Sequence, residues 1–281
     1  MNTVILQGKE ISNTNAETIT QQLKGTLLKK TTYCSINFTG NISTEQLQSW
    51  RDSFNFDVNY LPTNFKPQET RLLVTDMDST LINIECVDEI ADFINVKPQV
   101  AEITEAAMRG EIDFATSLRK RVSLLKGLDV TALERVYTER LKLNPGAETM
   151  IKGLQQQGIK TALVSGGFTF FTERLKQRLG LDFTMANVLG EYNGRLTGEV
   201  IGDICGAQAK ADFLQDKCKQ LNIFPSQVVA MGDGANDLLM MDEAGLSIAY
   251  HAKPKVQIAA DVAFNYSGLD GVLELLQIEL E

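Results

Sequence analysis

The stretch LLVTDMDSTLINIE, residues 72–85, decides how the chain is read. A short apolar run of buried-strand type stops at Asp76, a second aspartate follows at Asp78, and Glu85 comes seven residues later. Aspartate is a common turn former whose side chain bonds nearby backbone. The pair becomes chemistry only if other parts of the chain converge on it.

Further along, IKTALVS (159–165), SQVVAMG (226–232), GLSIAY (245–250) and DVAFNY (261–266) are also apolar runs of strand length. Helical segments at 145–158, with Pro at its start and Gly at its end, and at 207–222 alternate with them. Alternation of this kind predicts an α/β domain, a doubly wound parallel sheet covered on both faces. In such sheets ligands bind beyond the carboxyl ends of the strands. Two insertions break the pattern. Residues 84–140 hold no strand candidate, and apolar spacing near 3.6 predicts a small helical lid, or cap, after the first core strand. Residues 186–201 carry Asn193-Gly194 between alternating flanks, a strong hairpin signal.

Residues 1–68 are poorer in charge and richer in Thr, Asn, Gln and Ser. Strands are expected near 3–7, 32–38 and 55–61, and helices near 15–29 and 44–53. They predict a small N-terminal α/β domain, either a regulatory or dimer-forming unit or a structural appendage, joined by a linker at 59–70 to a main domain spanning 69–281. A homodimer is one expectation for it.

Composition narrows the function. Among 281 residues, 43% are hydrophobic and 22% charged, as in soluble globular proteins. No apolar run approaches the roughly 20 residues of a membrane span, and MNTVILQGKEIS lacks the basic region of a signal peptide. The default address is cytoplasmic. The net charge of −9 argues against nucleic acid as the partner. The four cysteines are far apart and suggest no zinc site. The one histidine, His251, lies in a stretch of loop character, so a Ser-His-Asp triad or a histidine-bound metal is a poor expectation. Hydrolysis here has to run on carboxylates, lysine and a metal.

Three core strands end in groups that suit such chemistry. The first runs into Asp76 and Asp78, the second into Ser165-Gly166-Gly167, and the third into Gly232-Asp233-Gly234-Ala235-Asn236-Asp237. Four aspartates gathered at one crevice repel one another unless a cation sits among them. Oxygen-only ligands favour Mg²⁺. Ser165 and its two glycines form an anion-binding turn, and Lys210 adds a cation. Asp76 is then the nucleophile and Asp78 the acid and base.

D-M-D-S-T, S-G-G, Lys210 and G-D-G-A-N-D, in that order, resemble the four motifs of the haloacid dehalogenase-like phosphatases. DMDSTLINIECVDEIA and DFATSLRKRVSLLKGL resemble, more narrowly, the phosphoserine phosphatase branch of that family. The resemblance covers about residues 70–280. It implies a Mg²⁺-dependent phosphatase acting on O-phosphoserine, in the last step of serine biosynthesis. It implies metal ligation by Asp76, the backbone carbonyl of Asp78 and Asp233, with Asp237 as a ligand or as a support for metal and lysine. It assigns Glu85 to the substrate ammonium, Phe114 and Arg121 to the lid that closes over the substrate carboxylate, and Ser165, Gly166, Lys210 and Asn236 to phosphate and substrate contacts. Charges of both signs in one site suit a zwitterionic phosphomonoester.

Three other readings stay open at this stage. Phosphohomoserine or phosphothreonine fits the same charges, because Glu85 and Arg121 do not fix side-chain length. A phospho-accepting signalling domain needs an aspartate and a lysine, but neither Asp78 nor a lid. A DxD glycosyltransferase leaves S-G-G and G-D-G-A-N-D unexplained.

Overall fold

A computed structural model describes residues 2–8 and 11–279. Four strands come from the first sixty residues: β1 (Asn2–Gln7), β2 (Thr26–Lys29), β3 (Tyr33–Phe38) and β4 (Asp57–Tyr60). Seven more follow: β5 (Leu72–Thr75), β6 (Lys160–Phe168), β7 (Phe183–Tyr192), β8 (Arg195–Ile201), β9 (Val228–Gly232), β10 (Leu246–Tyr250) and β11 (Val262–Phe264).

The opening stretch, β5, occupies the middle of a seven-stranded sheet in the order β11-β10-β9-β5-β6-β7-β8. All neighbours are parallel except the β7–β8 hairpin. Leu72 and Val74 pack into the apolar cluster on one face and Leu73 into that on the other. Burial on both faces is why the run shows no polar alternation. From β5 the chain winds outward through β6 and β7, then returns to build β9, β10 and β11 on the other side. That reversal opens a crevice at the carboxyl ends of β5 and β9.

Two expectations are corrected. The segment at 186–201 is not a separate insertion: β7 begins at Phe183 and pairs in parallel with β6, so the hairpin extends the core sheet. Its turn is as expected, with Asn193 and Gly194 both in the left-handed region (φ 50° and 75°). The helix expected over 15–29 ends at Leu23, because Lys24 turns left-handed and β2 takes over at Thr26. A Cβ on Gly25 would lie 2.8 Å from the Asn37 carbonyl, so the strand crossing forces the break.

The lid comprises helices Cys86–Asp92, Lys97–Met108, Phe114–Ser123 and Thr131–Arg135, the last continuing as a wider turn to Arg140. Its stem is a short ribbon in which Ile82 bridges Leu143 and the Asn83 N–H donates to the Lys142 carbonyl at 3.0 Å. Asn144 Nδ2 donates to the carbonyls of Thr80 (2.8 Å) and Ile82 (3.1 Å), clasping both ends of the stem. At the far end, the Gly127 N–H donates to the Leu196 carbonyl of the hairpin.

The four-stranded sheet has the antiparallel order β2-β3-β1-β4, a βαββαβ unit of ferredoxin-like type with helices Asn13–Leu23 and Thr44–Ser53. Val4 and Leu6 of β1 face these helices, whereas Ile5 joins the cluster of the larger sheet. Segment 61–70 is packed rather than loose, since Leu61 and Phe65 are buried. Among the described residues no helix is long and apolar enough to cross a membrane.

Asn144→Ala removes both clasp bonds and leaves two carbonyls short of donors. It is expected to lower unfolding free energy by about 1–3 kcal/mol, read as a lower urea midpoint at unchanged m-value. An unmoved midpoint contradicts the clasp.

Candidate active site

Asp76 stands at the carboxyl end of β5, 4% exposed, with its N–H donating to the Met231 carbonyl of β9. Lys210, in the second turn of helix Ala207–Leu221, is fully buried. Its Nζ donates to Asp76 Oδ1 at 2.5 Å and to Asp237 Oδ1 at 2.6 Å. Lys217 and Lys219 of the same helix point away and pair with Gln220 and Asp216 at the surface. Burial alone would discharge Lys210, yet Asp237 and Asp76 together overcome it and hold the ammonium charged. The Asp76 carboxyl is pushed well above the usual range by burial, with Asp237 and Asp78 adding to the push and Lys210 only partly offsetting it.

Asp78 follows on an irregular turn in which Ser79 is left-handed (φ 58°). Its Oδ1 accepts the Cys86 N–H at 3.0 Å, and its Oδ2 lies 3.5 Å from Ser165 Oγ. Burial first, then the Glu85 charge, raises this carboxyl to about 7. Ser165 Oγ in turn accepts the Gly167 N–H at 2.8 Å. A Cβ on Gly167 would lie 2.8 Å from Asp78 Oδ2, so only glycine lets the two strand ends approach this closely.

Carboxylate oxygens of Asp76, Asp233 and Asp237 lie within 4.8 Å of one another. Asp237 caps its own turn through the Gly234 N–H at 3.1 Å. Burial raises the Asp233 carboxyl to about 6, with Asp237 and Glu85 adding and Lys253 and Lys210 opposing. Thr80 Oγ1 lies 3.5 Å from Asp233.

A cavity of about 450 Å³ opens over these groups, between the sheet edge and the lid. Asp76, Asp78, Glu85, Phe114, Arg121, Gly166, Asp233 and Asn236 all line it. Ser165, Lys210 and Asp237 lie beneath its floor, bonded to the residues above. Every residue singled out from the sequence is therefore in or directly under one cavity. Glu85 accepts from Ser79 Oγ at 2.7 Å, and Phe114 packs against the backbone of Gly166 from the lid side. Arg121 is the cation of the lid wall. Its Nε is buried without a hydrogen-bond partner among the described residues.

The haloacid dehalogenase-like hydrolase family matches residues 70–245. A phosphoserine phosphatase from Polaromonas sp. is 55% identical over 225 residues, 78% of this chain and 95% of the relative. The chain belongs to the haloacid dehalogenase-like hydrolases. Within them it groups with the phosphoserine phosphatases. Two solved structures extend the likeness across the N-terminal unit. A member of the haloacid dehalogenase family from Salmonella enterica serovar Typhi superposes with a TM-score of 0.91 at 32% identity and covers both chains fully. An unliganded probable phosphoserine phosphatase from Vibrio cholerae gives 0.85 at 37% identity, covering 98% of this chain and 86% of that one.

Members of this hydrolase family use a divalent metal, and the donor set here fits one. Five carboxylates line the cavity (Asp76, Asp78, Glu85, Asp88 and Asp233) against two cations, Arg121 and Lys253. Burial is the main reason the Asp76 and Asp233 carboxyls are raised, with Asp237 adding to each, and a cation among them would favour their ionised forms. The oxygen-only trio suits a hard cation.

Sequence reasoning missed several supporting groups. Asn187 of β7 is buried and donates to the carbonyls of Gly166 (2.8 Å) and Gly167 (3.2 Å), and its Oδ1 accepts the Cys205 N–H. A lone Asn inside a strand pattern was its only signal. Ser79, Asp88 and Lys253 were visible only as ordinary turn or surface residues.

Because the Asp233 carboxyl is raised to about 6, its contribution to the metal-free fold is lost as pH rises through that value, and metal binding requires the ionised form. Adding Mg²⁺ to EDTA-stripped protein is expected to raise Tm by about 5 °C at pH 8 and by clearly less at pH 5. Thermal melts of wild type and Asp233→Asn test this. A shift that survives the substitution, or is equal at both pH values, contradicts the site.

Proposed function

We propose that the chain hydrolyses O-phospho-L-serine to L-serine and phosphate through an aspartyl-phosphate on Asp76, as the closing step of serine formation. The observation that carries this reading is the placing of opposite charges around one cavity. A nucleophile held by a buried lysine forms the floor, and Glu85 with an unpartnered Arg121 forms the lid wall.

Phosphoserine brings a phosphate, an ammonium and a carboxylate. The planar fork of Arg121 suits the carboxylate, and Glu85, oriented by Ser79, suits the ammonium. Ser165, Gly166 and Gly167 lie in the irregular last part of β6 rather than in the separate turn expected from the sequence, and with Asn236 they receive the phosphate oxygens. Asp76 Oδ attacks phosphorus, forming an O–P bond as the bond to the seryl oxygen breaks. Asp78 has Oδ1 fixed by the Cys86 N–H, and its Oδ2, held only by a long 3.5 Å contact with Ser165 Oγ, protonates the leaving oxygen. The same carboxylate then takes a proton from the water that attacks phosphorus and frees Asp76. Lys210 stays protonated throughout and balances the negative charge at the nucleophile. Mg²⁺ held by Asp76, Asp233 and the Asp78 carbonyl, with Asp237 as ligand or support, would neutralise charge on the transferring phosphoryl group.

Phosphate release with Mg²⁺ present tests the reading. Asp76→Asn is expected to lose on the order of 10⁴-fold in kcat, since it removes the bond-forming atom. Arg121→Lys keeps the charge but not the fork, and is expected to raise KM for phosphoserine about tenfold or more while kcat changes little. Phosphoserine should exceed a sugar phosphate in kcat/KM by roughly a hundredfold or more, because a substrate without a carboxylate leaves Arg121 unpaired. A preference for the sugar phosphate, or for phosphothreonine, overturns the assignment.

A further inference from the structure

We propose that Lys253 is a substrate-facing cation of the phosphate cleft, and that the N-terminal sheet holds it in place through Asp57. The inference rests on the reading of the chain as a phosphomonoester hydrolase.

Lys253 lines the same cavity as Asp76, Asp78 and Asn236. It lies just past the carboxyl end of β10, at the head of helix Pro254–Ala259, and its N–H donates to the Asp233 carbonyl at 3.3 Å. Among the described residues its Nζ has no ion pair and no hydrogen bond, whereas Lys210 is saturated by two carboxylates. A dianionic phosphate approaching five carboxylates on a chain of net charge −9 meets repulsion. An unengaged ammonium at the rim counters it, and rim charges act mainly on encounter and on salt dependence.

The loop carrying Lys253 is tied to the first sixty residues by successive hydrogen bonds. Gln257 Nε2 donates to the Ala252 carbonyl at 2.7 Å, and Asn265 Nδ2 donates to Gln257 Oε1 at 3.1 Å. The Asn265 N–H donates to Asp57 Oδ1 at 2.8 Å. Asp57 sits on β4, 3% exposed, and its other oxygen accepts the Ser267 N–H at 2.8 Å. A buried carboxylate spent on backbone N–H groups of the turn after β11 is a costly device for surface attachment alone, given the apolar contact at Ile5. Its consequence is a fixed segment from β11 back to residue 252. His251, left-handed at φ 43°, is pinned there by its N–H to the Phe264 carbonyl. Asp57 is a positioning residue that acts through Asn265 and Gln257.

The test uses full-length protein with Mg²⁺ and phosphoserine across a KCl series. Lys253→Gln is expected to lower kcat/KM about tenfold, chiefly through KM, and to flatten its salt dependence, while Lys253→Arg restores most of the loss. Asp57→Asn and Gln257→Ala are expected to lower kcat/KM roughly two- to fivefold alone and not at all in the Lys253→Gln background, because coupled residues are non-additive. A Lys253→Gln enzyme with wild-type kcat/KM and salt slope overturns the cation. Losses that multiply in the double variants overturn the relay, whatever happens to Tm. Wild type inactive on phosphoserine but active on another phosphomonoester overturns the substrate reading instead, and the series is then run on that ester.

Discussion

One buried ammonium governs the site. Lys210 is wholly enclosed and joins Asp76, at the end of β5, to Asp237, in the turn after β9. Neither carboxylate is stable alone at that depth, and removing one member of such a group leaves an uncompensated buried charge costing on the order of 3–5 kcal/mol. The three side chains come from three separate elements, so the bond that orients Asp76 also locks the register of strand, helix and turn. Gly232 shows how tightly this is built: a Cβ there would lie 2.4 Å from Asp237. The triad still leaves negative charge in excess, since Asp233 and Asp78 stand within the same cavity. A divalent cation among these carboxylates would offset that excess.

The rest of the architecture arranges access to that triad. Chain reversal around β5 sets three strand ends side by side, and the lid grows from the loop carrying Asp78. Glu85 therefore sits at once on the lid's first helix boundary and on Ser79, one residue past Asp78. Lid and floor share a stem clasped by Asn144, while the hairpin beyond β7 supports the lid's outer edge through Gly127. The lid wall and the Asp76–Lys210 floor are thus joined through one short stretch of chain. The N-terminal sheet enters from the opposite flank, with its polar contacts directed at β11 and the turn after it.

What was legible in the sequence was whatever local chemistry writes down. Apolar runs ending in Asp76, Ser165 and Asp233 announced parallel strands feeding one crevice, and Asn193-Gly194 announced the hairpin. The strand at Thr26–Lys29 was hidden because it is a short, largely exposed edge strand with no alternation. β7 was read as an insertion because its partner, β6, lies twenty residues earlier, and parallel pairing leaves no turn signature. Groups such as Asn187, Lys253 and Asp57 were invisible for the same reason. Each owes its place to a partner distant in the chain, and nothing in its immediate neighbours separates it from an ordinary polar residue. The family resemblance reached the cavity wall, but not the contacts that hold the wall up.

The proposed hydrolysis requires phosphorus to pass covalently through Asp76. Rapid acid quench of the enzyme turning over phosphoserine with Mg²⁺, followed by proteolysis and mass spectrometry, tests it directly. One phosphoryl group is expected on the peptide containing residues 72–85, located on Asp76, labile to hydroxylamine and absent from Asp76→Asn. Steady turnover with no such adduct at any quench time, or an adduct on another residue, would contradict it.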